Sequence, residues 1–248
     1  NNWITVAFAG TSTGTFEMKD LYLVNGADYL ANSYAVYVDS NATMTHKIHD
    51  MLIDLNEDAG MRGPTSNVTN GSVSVWNIKI WDLKEYGLIT LTNPTTVFEN
   101  VVVHSITGVS GCFYGANGSA VTMRNCVAIT PTAATGFVAV TNVTGRNCAS
   151  QDATADDFTT QSGAIINITP SDEFQSLTNT NSQFLDMKTS GTGQLDKGGV
   201  TVAIAGNTVG SRGNKGGRTG ATPSIGADEF GDYENWAALF SDEDLIFV

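Results

Sequence analysis

Short apolar stretches alternate with polar residues along most of the chain, each interrupted by an Asp or Asn and closed by a glycine-bearing turn. Alternation with period two marks strands that bury one face. Aligned on the acid or amide, the first copies read Phe16-x-Met18-x-Asp20-Leu21-x-Leu23, Ile48-x-Asp50-Met51-x-Ile53 and Val73-x-Val75-x-Asn77-Ile78-x-Ile80. Phe98-x-Asn100-Val101-x-Val103 and Val121-x-Met123-x-Asn125-Cys126-x-Ala128 continue the series. Val143 leads to Asn147-Cys148, and Ile165-x-Asn167-Ile168 is a degraded seventh copy. Successive anchors are 30, 27, 23, 25, 22 and 20 residues apart. Between them a second register recurs, in Gly87-Leu88-Ile89, Gly111-Cys112-Phe113 and Gly136-Phe137-Val138.

Short strands repeating every 20–30 residues or so predict a solenoid. Strands of one coil cannot bury their inward face alone, so stacking of coils must close the core. The predicted fold is an all-β parallel β-helix of about seven to eight coils. Coils occupy residues 10–170, a closing segment follows over 171–230, and 231–248 form an acidic, aromatic tail with a short helix. The anchor position needs left-handed or bridge backbone, which Asn tolerates best after glycine. Stacked amides can also hydrogen-bond along the axis. Asp20, Asp50, Asn77, Asn100, Asn125 and Asn147 are therefore read as a structural ladder, with the apolar residue after each anchor pointing into the core.

Composition narrows the class of partner. The chain carries 25 acidic against 12 basic residues, a formal charge of −13, and only 15% of its residues are charged. Polarity rests instead on Gly, Asn, Ser and Thr, as stacked strands and turns demand. So negative a chain is a poor ligand for nucleic acid, whose phosphates need Lys and Arg, and for anionic membrane surfaces. A hydrophobic share of 41% argues against disorder. No apolar run reaches the ~20 residues of a membrane helix. The start, Asn1-Asn2-Trp3, reads as a mature or trimmed end. Cys112, Cys126 and Cys148 fit neither a zinc site nor a disulfide framework. Cys126 and Cys148 should stack as small core hydrophobes, with Arg124 and Arg146 on the outward side just before the anchors.

The later part of the chain carries further motifs. Pro223-Ser224-Ile225-Gly226-Ala227-Asp228-Glu229-Phe230 follows Gly213-Asn214-Lys215-Gly216-Gly217-Arg218. Upstream lie the segment from Asn147-Cys148 to Ala155-Asp156, and the stretch from Phe184-Leu185 to Leu195-Asp196-Lys197-Gly198-Gly199. With the ladder, these resemble the right-handed parallel β-helix proteins of the pectate-lyase-like superfamily. The likeness is to a bacterial and phage surface group whose chains close on Asp-Ile-Gly-Ala-x-Glu, with Ser224 here in place of the first Asp. It covers residues 70–230 and implies a right-handed coil. On activity it is nearly silent, because that superfamily hosts lyases, hydrolases, epimerases, adhesins and virion proteins.

Each candidate for chemistry has a bland competitor. Hydrolysis of glycosides needs paired carboxylates across the scissile bond, and Asp156-Asp157 is the only Asp-Asp pair. It falls in a last-coil loop, so both are catalytic candidates outweighed by a solvated turn. Asp54, Asn56 and Asp58 space oxygen donors as Ca²⁺ prefers. The glycine, Gly60, falls one place late for a calmodulin-type loop, so a solvated loop is preferred and no cofactor is expected. His46 and His49, three apart on a strand, should face opposite ways, and no Ser or Cys stands beside them as a nucleophile. Trp76, Trp81 and Tyr86 are read as outward aromatics able to stack on sugars or anchor a protein interface, with simple packing at the sheet edge as the equal competitor.

These readings lead to a non-enzymatic, extracellular or virion-surface β-helix. It would be a structural or binding element such as a capsid decoration, fibre or spike. Expected partners are other subunits, including copies of itself, and surface glycans. The uncapped first strand at Trp3-Ile4-Thr5-Val6-Ala7-Phe8 invites a partner or a missing N-terminal part, and the tail Leu245-Ile246-Phe247-Val248 docks either on its own helix end or on a neighbouring subunit. The alternatives are a polysaccharide-active lyase or hydrolase, and a cell-surface adhesin.

Overall fold

The computed structural model describes residues 4–8, 10, 12–24, 33–40, 43–55, 61–62, 65–68, 70–82, 86–92, 95–104, 111–115, 121–130, 135–140, 142–178, 184–185, 187–188, 194–195, 202–204 and 207–209. The motif around Ile225-Gly226-Ala227, the tail 231–248, Trp3, and Asn56 and Asp58 lie outside these residues.

The chain moves back and forth between two sheets. Strand β1 (Ile4–Phe8) enters the first sheet and β2 (Thr13–Val24) the second. After the short β3 (Ser33–Tyr34), β4 (Val36–Ser40) returns to the first and β5 (Thr43–Asp54) to the second. β6 (Met61–Arg62), β7 (Thr65–Val68) and β8 (Gly71–Trp81) repeat that course, followed by β9 (Tyr86–Thr92) and β10 (Thr96–His104). Next come β11 (Gly111–Tyr114), β12 (Val121–Arg124) and β13 (Val127–Ile129). β14 (Phe137–Val138), β15 (Val143–Arg146), β16 (Ala149–Ser150) and β17 (Thr160–Ser162) follow. Among the described residues the first sheet runs β1-β4-β7-β9-β11-β14. The second runs β2-β5-β8-β10-β12-β15-β17, with β13 and β16 alongside. Every pairing in both is parallel. β18 (Val202–Ile204) and β19 (Asn207–Val209) form a separate antiparallel pair. The one described α-helix, α1, spans only Pro170–Glu173. The described chain is thus all-β and dominated by parallel sheet.

The anchors explain how a long strand turns a corner. Asp20, Asp50, Asn77, Asn100, Asn125 and Asn147 have φ of 55°, 53°, 53°, 53°, 51° and 49°. Left-handed backbone costs most L-residues about 1–2 kcal/mol, and Asn and Asp less. One such residue shifts the phase of alternation. The residues two before the anchors (Ile48, Val75, Phe98, Met123) and those one after (Met51, Ile78, Val101, Cys126, Cys148) all enter the same inner core. In register, Leu21 stacks on Met51, Met51 on Ile78 and Ile78 on Val101. The first sheet contributes Phe113 and Phe137, stacked at 4.8 Å between centroids, and burial of each ring contributes about 2–3 kcal/mol.

The inner core closes at one end through a glycine. Gly145 occupies the place held by Met123 and Phe98 in the neighbouring strands, and a Cβ there would lie 2.6 Å from the Phe158 ring. Phe158 fills that space, 5.0 Å from the Phe137 ring. Asn167 is left-handed too, at φ 58°, but Ile168 after it joins a different apolar cluster on the outside. The seventh copy thus keeps the backbone of the repeat and leaves its core.

That second cluster lies on the outer face of the larger sheet. Leu52, Val102, Val127 and Ala149, each two residues past an anchor, are buried there beneath Phe174, Phe184, Leu185, Met187 and Leu195. Glu173 ties the covering segment down, accepting backbone N–H bonds from Gln194 at 2.8 Å and Leu195 at 3.0 Å.

Candidate functional site

The residue before each anchor points to the outer face. Pairing registers place Lys19, His49, Trp76, Glu99, Arg124 and Arg146 side by side across six strands. This column gathers the densest chemistry among the described residues.

Its first part centres on His49. The ring meets Asp50 Oδ2 through Nδ1 at 2.7 Å and Glu17 Oε1 through Nε2 at 3.1 Å. Carboxylates only accept, so the imidazolium form satisfies both contacts as a donor. One ring face lies on the Trp76 indole, with centroids 4.0 Å apart and planes 8° from parallel. Asn77 Nδ2 donates to Asp50 Oδ1 at 3.0 Å. Burial pushes the Asp50 carboxyl up, but the bonds from His49 and Asn77 outweigh it and hold the group below the usual range. The exposed Glu17 is lowered chiefly by its hydrogen bond from His49.

The second part is the pair Glu99 and Arg124. Glu99 is fully buried, and its Oε1 accepts from Arg124 Nη1 at 2.6 Å while Oε2 has no hydrogen-bond partner. Burial raises the Glu99 carboxyl and the guanidinium partly offsets the rise. Arg146, next in the column, is exposed.

Several expectations change here. Trp76 and Trp81 do point away from the inner core, but they are only 8% and 4% exposed. His49 covers Trp76, while Tyr22 at 6.0 Å and Phe184 at 5.4 Å pack on Trp81. Neither indole offers a free face to a sugar. Tyr86 begins β9, so it lies in the other sheet from Trp76 and Trp81. Asp156 and Asp157 sit at the end of the 3-10 turn Thr154–Asp156, both exposed, and Asp156 Oδ1 accepts from Gln161 Nε2 at 2.6 Å. The carboxylate that organises this loop is Asp152 instead, which accepts from Gly136 N at 2.8 Å and Thr154 Oγ1 at 2.6 Å. Asp54 ends β5 opposite Trp81. Among the described residues no three His, Cys, Asp or Glu side chains gather as a metal site, and no helix is long and apolar enough to cross a membrane.

His46 and His49 do face opposite ways: His46 is fully buried, with Nδ1 3.2 Å from Ser72 O. Cys126 and Cys148 are buried in the inner core, each thiol facing a backbone carbonyl, of Phe98 at 3.6 Å and Met123 at 3.5 Å. Burial pushes the Cys126 thiol up.

Asp50 and His49 have the geometry of an orienting acid and a base, yet the other ring nitrogen is on Glu17 and Trp76 seals a ring face. The arrangement therefore acts as a clamp joining β2, β5 and β8. Sequence reasoning missed it because Glu17 and His49 are 32 residues apart. The available signal was the stacking rule, which sets His49 beside Lys19 and Trp76, with Glu17 two residues before Lys19 along the same strand. No family model, no curated protein and no solved structure matches this chain.

Proposed function

We propose that the chain is a right-handed parallel β-helix that works by shape, as a rigid structural or binding element of an extracellular assembly. The family resemblance makes a virion component, such as a decoration, fibre or spike protein, the natural case. The observation that supports this reading is the continuity of the ladder. From β2 to β15 each layer repeats one left-handed anchor, one inward stack and one outward column at constant register. Such a repeat buries its core only through neighbouring layers and yields a stiff prism. The outward column is consistent with that role, since its His49 and Glu99 side chains are engaged across strands.

Mass spectrometry of purified particles tests the assembly role, with the chain expected at a fixed copy number. Release of oligosaccharides from a glycan panel by the isolated chain, abolished by Asp156→Ala or Asp54→Ala, would overturn it in favour of a polysaccharide-active enzyme.

A further inference from the structure

The segment after β17 leaves the stacked layers and crosses the outer face of the larger sheet, with Phe184 as its central contact. The Phe184 ring meets Trp81 edge-on at 5.4 Å and His104 at 5.7 Å. Its carbonyl accepts from the Lys79 ammonium at 3.4 Å. Leu185 and Met187 are buried beside it, and Lys188 N–H returns to Glu173 O at 2.9 Å.

His104 ends β10, opposite Ile129 and one residue past the Val103–Ile80 pair. Its Nδ1 is buried without a hydrogen-bond partner. The charged groups around this corner are Lys79 on the Phe184 carbonyl, and Asp54 opposite Trp81. Asp82 acts with Asp54 on Tyr22, and Glu173 and Lys188 lie at the foot of the segment. A neutral ring tolerates this setting. An imidazolium places an N–H at Nδ1 with nothing to receive it, and adds a second cation against Phe184, whose carbonyl Lys79 already occupies. An unmatched buried charge is expensive enough to displace what covers it.

We propose that Phe174, Phe184, Leu185, Met187 and Leu195 act as a strap over the outer face, and that acid releases it by protonating His104, exposing the row Leu52, Val102, Val127 and Ala149. Burial holds the His104 pKa at about 4, against 6.5 for the free side chain. The released form therefore binds the proton more readily. Opening is favoured about tenfold per pH unit from 6.5 down to about 4 and levels off below, a ceiling of roughly 300-fold.

Amide hydrogen exchange tests this, with each rate normalised to its intrinsic value at that pH. Between pH 6.5 and 4.5, exchange at residues 184, 185, 187 and 188 is expected to rise about 40-fold while β8 and β10 hold. His104→Phe and His104→Gln, two replacements of different polarity, should both flatten the rise. The proposal is overturned if the rise is absent, if β8 and β10 loosen in step with the strap, or if either folded variant keeps the wild-type profile. The wild-type comparison of strap with β8 and β10 decides the matter should neither variant fold.

Discussion

Asn125 Nδ2 donates to Asn100 Oδ1 at 3.0 Å, and both residues are fully buried with left-handed backbone. One residue type thus meets two demands at once, a positive φ and a hydrogen bond between layers. The two separate by substitution. Asn125→Gly keeps the backbone and loses the bond, so it should cost about 1–2 kcal/mol. Asn125→Ala adds the left-handed penalty and should cost about 3 kcal/mol. Urea denaturation of the two variants measures the difference; equal losses would mean that the backbone term is absent.

The Glu99–Arg124 pair predicts a strong asymmetry. Arg124→Ala strands a fully buried carboxylate and should destabilise by about 3 kcal/mol at pH 7. Burial holds the folded Glu99 pKa above its unfolded value of 4.5. The folded state therefore favours the protonated acid, and the penalty should shrink as pH falls through the raised value. Adding Glu99→Gln to Arg124→Ala should recover most of the loss at neutral pH. Denaturation midpoints at pH 7 and pH 4 for the three variants check both statements.

Acid should weaken the His49 clamp. Asp50 and Glu17 have folded pKa values below their ordinary 3.8 and 4.5. Their contribution is complete above those values and is lost as pH falls through the lowered ones. Thermal midpoints measured from pH 6 to pH 2 should drop more steeply below about pH 4.5 in the native chain than in Asp50→Asn. A parallel drop in both would remove the clamp from the account.

All three cysteines are buried. A thiol reagent such as dithionitrobenzoate should label none of them under native conditions and all three in denaturant. Rapid native labelling of Cys126 or Cys148 would mean that the inner core opens there.

The anchors were legible because their requirement is local. A positive φ selects Asn or Asp over nearly every other side chain at that one residue, whatever surrounds it. The inward column was legible for a related reason, since constant spacing between anchors stacks like positions. The outer face was not. Trp76 and Trp81 alternate outward as expected, yet His49, Tyr22 and Phe184 cover them. The apolar residues at Leu52, Val102, Val127 and Ala149 were a readable sign of a covered face. What covers it, Phe174, Phe184, Leu185, Met187 and Leu195, comes from far along the chain.

The sequence by itself therefore determined the repeat, the left-handed corners and the side chains that enter the inner core, because backbone preference and alternation act within a few residues. Only the tertiary structure decided that Glu17 meets His49, that Arg124 answers a buried Glu99, and that Phe184 closes over His104. Those contacts join residues 25 to 80 positions apart. Their geometry is set by strand register and by burial, which exist only once the layers have stacked.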